Sequence, residues 1–475
     1  MNRKLRSTFE LAQERVIAPT WKPIQEEDVY HESSEIPEFV TDWSYPGSES
    51  SEGLEDDDGI VFVDKIDDKN EDAFGENALQ ELNMTEVNMQ QPERINYGEI
   101  PQVHWYGDFT SYTGFGRTNR AFAFGLSDKN VAVKPDMIEG RDEVNEATVR
   151  MLNKLANNRI KESAPKVFSC ITPLNMFHGG RKILYTMMET TGSLHEHFVG
   201  KLNLFDEIWV PTENGKELFK ANGVNPPIGV FPLGVDTDRY RPGIKPFNIP
   251  ELNDFVFISV FKWGYRKAPD ILLRAYLEEF SAQDDVSLLL ICRATNNNND
   301  DIITSDFQLF RNQVQKSDDQ LPHVMLYNRP IKEWQMPHIY AVGDAFVLPS
   351  RGEGMCFTYL EAACCGLPVI GSYCTAQMDY LTEENSYLVH PNIITTSKVT
   401  GPLSQLSKQC MYYENQGFAD FDSRGVDELK AHMRSVVNDY QTAIKKAALL
   451  RNEVIRRYNW NTVIDKVYKR ILEIQ

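Results

Sequence analysis

Two carboxylates with a fixed spacing occur in the segment from Ser350 to Ser372. Glu353 and Glu361 are separated by seven residues, and glycines at 352 and 354 flank the first of them. Glycine permits turn conformations that other residues avoid and lets a ligand approach the backbone, so Glu353 is expected at the mouth of a cleft. Glu361, about two helical turns further on, could accept hydrogen bonds from paired sugar hydroxyls. The pattern favours a sugar-nucleotide site, and the alternative is an ordinary turn with two solvent-facing carboxylates.

The same segment predicts the elements that would position these carboxylates. A helix is expected from Thr358 to Cys365, where Gly366 and Pro368 end it, and residues 367–372 continue as a buried strand. A helix start beside a glycine turn presents unpaired N–H groups and the positive end of the helix dipole. Such a start suits a diphosphate group.

A second group of charges follows an earlier predicted strand. Lys262, Arg266 and Lys267 come directly after the apolar run from 255 to 261. Breaking a glycosidic phosphate bond leaves an anionic nucleotide diphosphate, which positive charge in a dry cleft would stabilise. Lys262 and Lys267 could supply that charge without a metal ion, because an ammonium group acts as a point charge. The alternative is a basic loop that only offsets nearby carboxylates.

A glycine loop, SYTGFGRTNR, follows the first predicted strand. Gly114 and Gly116 would bring backbone N–H groups to a phosphate or an acceptor. Asn119 breaks the GxGxxG pattern, which disfavours a dinucleotide-binding loop. Arg117 lies at a helix start, where the dipole disfavours a cation, so an anionic neighbour is expected. A plain turn between a strand and a helix is the alternative.

From about residue 100 onward, short apolar strands alternate with helical segments, which predicts parallel sheets flanked by helices. The expected strands of the first half are QVHWYG, NVAVKP, KVFSCIT, KILYTMME and DEIWVPT. A proline-rich passage from 232 to 250 predicts a hinge, and the alternation then restarts with FVFISVF, VSLLLIC, HVMLYN, DAFVLPS and LPVIGS. Two such halves would face each other across a cleft at the carboxyl ends of their strands.

The spacing of the two glutamates within GEG, EA and GLPVIGS resembles the donor-site signature of retaining GT-B glycosyltransferases of the family four type. The resemblance implies that Glu353 contacts the transferred sugar and Glu361 the nucleotide ribose. The family's basic pair on the donor diphosphate is an arginine followed five residues later by a lysine. Here Lys262 and Lys267 occupy those positions, with a lysine replacing the arginine.

The resemblance also implies further donor contacts and a stereochemical outcome. The donor-binding residues are expected in the glycine loop and after the first glutamate, namely Gly116, Arg117, Gly354, Met355, Cys356 and Phe357. Residues 355–358 are Met, Cys, Phe and Thr where the family frequently has Trp or Phe, Gly, Leu and Pro. Retention of the anomeric configuration by front-face attack is implied as well.

The implied fold class is α/β: GT-B, with two Rossmann-like domains facing a central cleft and an acidic N-terminal extension. We expect an acidic, largely irregular extension over 1–98, an acceptor domain over 99–243 and a donor domain over 244–457. A final helix over 458–475 is expected to cross back to the first domain, as in the resembled family.

The acceptor side of the cleft is less well defined by the sequence. Asp108, His178 and Glu189 follow predicted strands of the first half and are the acceptor-side candidates. Lone polar residues at strand ends commonly cap helices or pair locally, so a structural role is favoured for each. His195 and His197 are two residues apart and would not share a helix face, so no metal site is predicted.

The net charge of −20 lies almost entirely in one block. Positions 21–93 hold 22 acidic residues and three lysines, whereas the rest of the chain holds 47 acidic and 46 basic residues. This block has few large apolar residues, so a solvating tail is favoured over an interaction tail or a decoy for a basic cleft. Its run GIVFVDKI, from 59 to 66, could pair as an edge strand or dock as a short motif. The near-neutral remainder disfavours a nucleic-acid partner.

Compartment and redox state follow from what the sequence lacks. The first residues have no apolar stretch behind their basic charges, and the longest apolar runs are far below membrane-spanning length, so a cytoplasmic protein is expected. Seven cysteines without CxxC pairs or metal spacing predict reduced, buried thiols.

The predicted function is a metal-independent, retaining glycosyltransferase that moves a hexose from a nucleotide-diphosphate sugar to a carbohydrate, lipid-linked or protein acceptor. A UDP-sugar is the first expectation for the donor and a GDP-sugar the next, with no further cofactor. One alternative is a nucleotide-sugar epimerase or hydrolase of the same fold, which would release free sugar or isomerised donor without acceptor. The other is a non-catalytic scaffold that uses its acidic tail and binds no donor.

Overall fold

The computed structural model describes residues 60–62, 100–137, 144–171, 179–293, 299–328, 331–396 and 416–475. The strands within these ranges are β1 (Ile60–Phe62), β2 (Gln102–Gly107), β3 (Ala132–Met137), β4 (Lys166–Ser169), β5 (Lys182–Tyr185), β6 (Glu207–Val210), β7 (Ile228–Val230), β8 (Phe255–Lys262), β9 (Val286–Arg293), β10 (His323–Tyr327), β11 (Ala345–Leu348), β12 (Val369–Ser372), β13 (Tyr387–Val389), β14 (Ile393–Thr396) and β15 (Gly417–Asp420). The α-helices are α1 (Gly114–Asp128), α2 (Glu146–Ala156), α3 (Glu196–Leu202), α4 (Glu213–Ala221), α5 (Pro269–Glu279), α6 (Asn299–Arg311), α7 (Met336–Tyr340), α8 (Phe357–Cys364), α9 (Ser423–Asn438), α10 (Tyr440–Tyr458) and α11 (Trp460–Glu473).

The first half forms a parallel sheet of six strands in the order β3-β2-β4-β5-β6-β7. Each strand is linked to its neighbours by parallel pairing, for example Trp105 with Val167 and Leu184 with Ile208. The strand order reverses between β2 and β4. In open parallel sheets, ligands bind outside the carboxyl ends of the strands at such a reversal.

The second half forms a parallel sheet in the order β1-β10-β9-β8-β11-β12-β13. Its order reverses between β8 and β11, so the loops after these two strands lie side by side. Strand β1 pairs with β10 at the outer edge, with Ile60 opposite Val324. Of the two alternatives for the run from 59 to 66, the described residues therefore adopt the edge strand.

Continuous apolar runs explain why these sheets lie between helices. All residues of β8 and β9 except the last of each are buried, as expected for strands covered on both faces. Helix α5 adds Leu272, Leu273 and Tyr276 to the same core, each 0% exposed. One continuous cluster of apolar side chains runs from the first sheet through the second. The two sheets are thus held as neighbours by a shared core.

The predicted strands are confirmed, with bounds that differ at their ends. KILYTMME, for example, is a strand only over Lys182–Tyr185, and NVAVKP is shifted by two residues to Ala132–Met137. The predicted helix after Glu353 begins one residue earlier, at Phe357. The alternation did not predict the short strands β7 and β13 or the antiparallel pair β14–β15.

The last helix of the chain returns to the first sheet. Asn459 ends α10 and caps α11 by accepting a hydrogen bond from the Thr462 amide at 2.9 Å. Helix α11 packs on α1, where the close approach of Ile464 leaves no space for a Cβ at Gly125. Arg470 of α11 donates two hydrogen bonds to Glu207, at 2.9 and 2.8 Å. The expected limits of the domains themselves remain a prediction.

Two further observations concern cysteines and helix polarity. The six cysteines that lie in the described ranges are free thiols. Among the helices described above, none is both long and apolar enough to cross a membrane.

Candidate active site

The two sheets present their strand-order reversals to the same cleft. In the second sheet, the loop after β8 carries Arg266 and Lys267, and the loop after β11 carries Glu353. In the first sheet, the loop after β2 leads into α1 with Arg117. The residues singled out from the sequence therefore meet because the topology brings these loops together.

Glu353 is surrounded by two cations from the neighbouring loop. Its carboxylate accepts hydrogen bonds from the Lys267 ammonium at 2.6 Å and from the Arg266 guanidinium at 2.7 Å. The side chain is 3% exposed. The backbone N–H of Glu353 donates to Thr375 Oγ1 at 2.8 Å. This hydrogen bond joins the turn that carries Glu353 to the loop after β12.

Charge on Glu353 is favoured in spite of burial. Desolvation raises the pKa of a buried carboxyl, but the charges of Arg266 and Lys267 and their hydrogen bonds outweigh it, so the pKa of Glu353 is lowered. Glu353 is therefore ionised at neutral pH. Because it is buried and charged, it would be left with a single cation if either were removed, and with an uncompensated charge in the interior if both were removed.

A buried arginine holds the basic loop in place. Arg351 donates to Asp270 at 2.8 and 2.6 Å and to Asp420 at 2.8 Å, and its guanidinium lies 4.1 Å from the centre of the Tyr265 ring. Its backbone N–H donates to the Arg266 carbonyl at 2.7 Å. The loops after β8 and β11 are thus joined immediately beside Glu353.

Glu361 lies in α8, the helix that follows the Glu353 turn, and its hydrogen-bond partners differ from those of Glu353. Arg117 of the first domain donates to it at 2.6 Å, and Tyr340 of the second domain donates at 2.8 Å. Arg117 also stacks over the Phe357 ring at 4.4 Å and lies 3.7 Å from Glu333. The expected anionic neighbour of Arg117 is therefore Glu361, across the cleft.

Burial and the charge of Glu361 together shift the pKa values of its two partners, Tyr340 and Arg117. Burial raises the pKa of Tyr340 well above its ordinary value, and the adjacent Glu361 charge raises it further. Burial opposes charge on Arg117, but the Glu361 carboxylate raises its pKa overall. Tyr340 is therefore a neutral hydrogen-bond donor and Arg117 a permanent cation at neutral pH.

The turn between Glu353 and α8 contains one residue in a strained conformation. Cys356 has φ of +69° and precedes the first helical residue, at the position where a glycine is frequent in the resembled family. A non-glycine residue in this region costs free energy and occurs mostly where the surroundings demand it. Burial raises the pKa of its thiol, which lies 3.9 Å from the Lys267 ammonium.

The remaining residues of this turn face different ways. Phe357 contacts Arg117 and lies 6.4 Å from Trp460, so it borders the first domain. Met355 is 1% exposed; its sulfur accepts from the Leu233 amide, and its carbonyl accepts from Tyr380. Gly354 and Gly352 contact the first domain so closely that side chains would clash with it.

The glycine loop is held by its own polar side chains. Asp108 accepts hydrogen bonds from the Thr110 and Ser111 amides, each at 3.0 Å. Thr113 caps α1 by accepting from the Gly116 amide at 3.1 Å. A Cβ at Gly116 would lie 2.3 Å from the Ser111 carbonyl oxygen, so this position requires glycine. Asp108 thus contributes to the local structure of the glycine loop, and its assignment to the acceptor side stays a prediction.

The three acceptor-side candidates have separate outcomes. Glu189 faces the site, because Arg266 donates to it at 3.0 Å while also contacting Glu353. Asp108 stabilises the glycine loop, as described above. His178 lies outside the described residues. His195 is the cap of α3 and accepts from the His197 amide at 3.1 Å, so His197 lies within the helix and His195 just before it.

Lys262 and Lys267 are placed differently. Lys267 contacts Glu353, whereas Lys262 lies at the exposed end of β8 opposite Arg293 in the adjacent strand. Among the described residues, the cation that shares Glu353 with Lys267 is Arg266. Its position directly before Lys267 was the signal available in the sequence, but the family pattern directed attention five residues earlier.

The sequence reasoning also did not identify Tyr340 and Glu333. Tyr340 ends α7 and Glu333 lies just before it, in a segment with no recognisable motif. Only the fold brings them to Glu361 and Arg117. Within the ranges that the structure describes, no cluster of three or more potential metal ligands occurs.

Solved structures with this fold are numerous, and sequence identity to them is low. Sucrose-phosphate synthase from Thermosynechococcus elongatus has a TM-score of 0.56 at 13% identity, over 79% of this chain and 100% of that chain. The Anabaena HepE protein in complex with UDP and glucose has a TM-score of 0.51 at 13% identity, over 78% and 99%. These similarities establish the fold class as GT-B.

Two family models match the second half of the chain. Residues 253–397 match the family "Glycosyl transferases group 1", and residues 336–467 match "Family 4 Glycosyltransferase in conflict systems". The resemblance to family four GT-B glycosyltransferases is therefore confirmed, and the second half of the chain carries a glycosyltransferase domain of this family.

Curated relatives match over shorter stretches. A Mycolicibacterium smegmatis protein named GDP-mannose-dependent alpha-(1-6)-phosphatidylinositol monomannoside mannosyltransferase is 26% identical over 161 residues, covering 30% of this chain and 37% of the relative. An Escherichia coli protein named UDP-Gal:alpha-D-GlcNAc-diphosphoundecaprenol alpha-1,3-galactosyltransferase is 28% identical over 214 residues, covering 40% and 50%. The matches thus span half or less of each relative.

Proposed function

We propose that this protein is a retaining glycosyltransferase that transfers a hexose from a nucleotide-diphosphate sugar to an acceptor without a metal ion. The observation that carries this proposal is the pair of buried glutamates, each bonded to cations, at the meeting point of the two strand-order reversals. Glu353 with Arg266 and Lys267 forms one end of the site, and Glu361 with Arg117 forms the other. The family match of residues 253–397 supports the same activity.

The charges of the site are balanced before a donor enters. Arg117, Arg266 and Lys267 contact the carboxylates of Glu189, Glu353 and Glu361. A fourth carboxylate, that of Glu333, lies 3.7 Å from Arg117 and is also paired with Arg239. A nucleotide diphosphate adds negative charge, so it must draw at least one cation from its present partner. Arg117 and Lys267 are the cations best placed to do this, because each lies beside the start of α8, the positive end of that helix.

Donor binding therefore requires an exchange at Glu361. Its carboxylate is occupied by Arg117 and Tyr340, yet the ribose hydroxyls need it as an acceptor. In the proposed exchange, Arg117 turns from Glu361 to a phosphate oxygen, and the ribose takes its place. Phosphate and ribose then replace one interdomain ion pair by two ligand contacts.

The chemical step leaves negative charge on the departing diphosphate. The bond between the anomeric carbon and the phosphate oxygen breaks, and its electron pair leaves with the nucleotide. The acceptor hydroxyl bonds to the anomeric carbon on the same face, and its proton passes to the departing phosphate oxygen. Lys267 and Arg117 stabilise the anion, and this stabilisation is strong because the cleft excludes water.

Glu353 has two roles in this scheme. It orients Lys267 and Arg266 in the absence of donor, and it accepts hydrogen bonds from the sugar hydroxyls when donor is bound. A lowered pKa keeps it an acceptor throughout the neutral range. It is also well placed to offset positive charge that develops on the sugar ring.

The proposal does not specify the base of the donor nucleotide or the acceptor. One curated relative is named for GDP-mannose and the other for UDP-Gal, so both bases are candidates, with UDP-sugars the first choice. Both names contain a lipid-linked acceptor, which makes lipid-linked sugars the first acceptors to test.

The test is a screen of UDP- and GDP-hexoses for nucleotide release by the full-length chain, with and without lipid-linked and soluble sugar acceptors. Acceptor-dependent release that persists in chelator supports the proposal. Release of free sugar or an isomerised donor without acceptor would instead indicate the hydrolase or epimerase. Activity abolished by chelator and restored by Mg²⁺ or Mn²⁺ would remove the metal-independent clause.

Glu196→Gln provides the matched control for variants of the site glutamates. Glu196 lies exposed at the start of α3, away from the cleft, so its substitution removes one carboxylate without altering the site. Glu361→Gln and Glu353→Gln should lower turnover, whereas Glu196→Gln should leave it unchanged.

A further inference from the structure

A second cavity lies in the same interdomain cleft, beyond the loop that carries Glu353. Its volume is about 840 Å³, within the range of small-molecule sites. The first domain contributes the turn after β5 and one side of α4, and the second domain contributes the loops after β12 and β13. Residues that define it include Thr190, Asn214, Glu217, Tyr373, Thr375 and Met378.

Close backbone contacts separate this cavity from the charged site. A Cβ at Gly352 would lie 1.9 Å from the Glu189 carbonyl oxygen, and one at Gly354 would lie 2.5 Å from the Met187 sulfur. The two loops therefore touch between the cavity and Arg266. Thr375 connects the two regions, because it lines the cavity and accepts the hydrogen bond from the Glu353 amide.

The walls of the cavity are held together across the two domains. Asp379, in the turn after β12, accepts hydrogen bonds from the amides of Glu213 and Asn214 at the start of α4, at 2.6 and 3.1 Å. On the other side, the Thr191 amide donates to the Gly417 carbonyl at 2.8 Å. The cavity is thus formed before any ligand is bound.

One buried polar group of the cavity has no partner. Thr190 is 1% exposed, and its Oγ1 makes no hydrogen bond within the described part of the chain. A buried hydroxyl without a partner is unfavourable, because the hydrogen bonds that it makes to water in the unfolded chain are not replaced. Thr190 is one of the lining residues, so a ligand hydroxyl or carbonyl that reached its Oγ1 through the cavity wall would recover this loss.

The chemistry of the lining selects the class of ligand. Among the residues that the structure describes, the lining contains the Glu217 carboxylate and no lysine or arginine, so these residues offer no opposite charge to a phosphate or a carboxylate. Asn214 and Thr191 offer polar contacts, while Tyr373, Leu218 and Met378 offer apolar surface. A neutral sugar ring presents hydroxyls around its edge and C–H groups on its faces. These two kinds of group match the polar and the apolar parts of the lining.

We propose that this cavity binds a neutral sugar unit of the acceptor glycan, apart from the hydroxyl that receives the hexose. The proposal rests on the proposed transferase function, since it gives the acceptor a carbohydrate with more than one sugar. Such a chain would run from the cavity to the charged site past Thr375, which borders both regions.

The test is a glycan array of neutral and acidic oligosaccharides probed with the full-length protein, followed by titration of the best neutral oligosaccharide. Thr190→Val removes the unpartnered hydroxyl with little change of shape, and Met378→Ala removes a half-exposed apolar contact. Each should weaken oligosaccharide binding about fivefold or more. Leu204→Ala, on an exposed residue outside the cavity, is the control.

Binding of UDP, followed by thermal shift, separates this inference from the proposed function. We expect the two cavity variants to bind UDP as the wild type does, and Lys267→Ala to lose UDP binding but keep oligosaccharide binding. The inference is wrong if acidic glycans are preferred, if neither cavity variant weakens binding, or if no oligosaccharide binds while UDP does. Oligosaccharide binding without binding of UDP or GDP would uphold the cavity and refute the donor site.

Discussion

The two glutamates of the motif have opposite kinds of environment. Glu353 is neutralised by Lys267 and Arg266, which belong to its own sheet, whereas Glu361 depends on Arg117 from the other domain. Separation of the domains would leave Glu353 paired and would leave Glu361 with Tyr340 alone. The sugar end of the proposed site, at Glu353, is therefore formed within one domain. The ribose end, at Glu361, is complete only when the two domains are in contact.

This contrast has a consequence for how the cleft responds to a donor. A ligand that displaces Arg117 from Glu361 removes a contact between the domains and must replace it. A ligand at Glu353 changes no such contact except the one from Arg266 to Glu189. We therefore expect substitutions at the two ends to differ in both size and kind.

The largest effect is expected for Glu353→Gln. This change keeps the shape but leaves Arg266 and Lys267 without their carboxylate, and it weakens the contact to the sugar. Transfer should fall by about 100-fold or more, corresponding to roughly 2.7 kcal/mol. Nucleotide affinity should change much less. Initial rates and UDP titration check this, and an equal loss in both would place Glu353 at the nucleotide instead.

Arg117→Ala distinguishes the contribution of the phosphate groups to nucleotide affinity from that of the ribose. Without Arg117, Glu361 has no ion pair to break, so a nucleoside that lacks phosphate should bind more tightly than to the wild type. UDP should bind more weakly, by about 10-fold, because one phosphate contact is lost. Titration of uridine and UDP against the same variant measures both. Parallel loss of both affinities would contradict the exchange.

Tyr340→Phe tests the part of the Glu361 environment that lies within its own domain. The carboxylate would lose a hydrogen bond at a position that is 1% exposed, which should lower the free energy of unfolding by about 1 to 3 kcal/mol. Urea denaturation measures the change. Tyr240→Phe is the matched control: its ring lies 6.0 Å from that of Tyr340, and its hydroxyl has no partner among the described residues. We expect no loss of stability there.

Cys356→Gly should have the smallest effect and the opposite sign. The φ of +69° is strained for cysteine and accessible to glycine, so the folded state should gain up to about 1 kcal/mol. The greater freedom of glycine in the unfolded chain offsets part of this gain. A thermal melt measures the difference. A clear loss of stability would show that the buried thiol contributes more than the strain costs.

Local sequence patterns predicted most of the strands and the helices that hold Glu361 and Arg117. The apolar runs predicted the strands of both sheets because each run is buried on two faces, and glycines and prolines marked their ends. The segment from Glu353 to Glu361 predicted α8, whereas Glu353, expected at the mouth of a cleft, is buried. The glycine loop predicted the start of α1 and an anionic neighbour for Arg117.

The pairings across the cleft could not be predicted in the same way. No spacing connects Arg117 with Glu361, 244 residues apart, or Glu189 with Arg266. Such pairs depend on how two sheets face each other, which local propensity does not encode. Arg266 was passed over for a related reason, since the orientation of consecutive side chains after β8 follows from the turn that Arg351 holds.

The most direct test of the central claim is a calorimetric titration of UDP and GDP into the wild type, Glu361→Gln and Glu196→Gln. The account predicts that the wild type and Glu196→Gln bind one of these nucleotides equally. Glu361→Gln should bind it about 10- to 150-fold more weakly, the loss expected for one charged hydrogen-bond partner. Equal affinity of all three proteins, or no binding of either nucleotide by the wild type, would contradict the account.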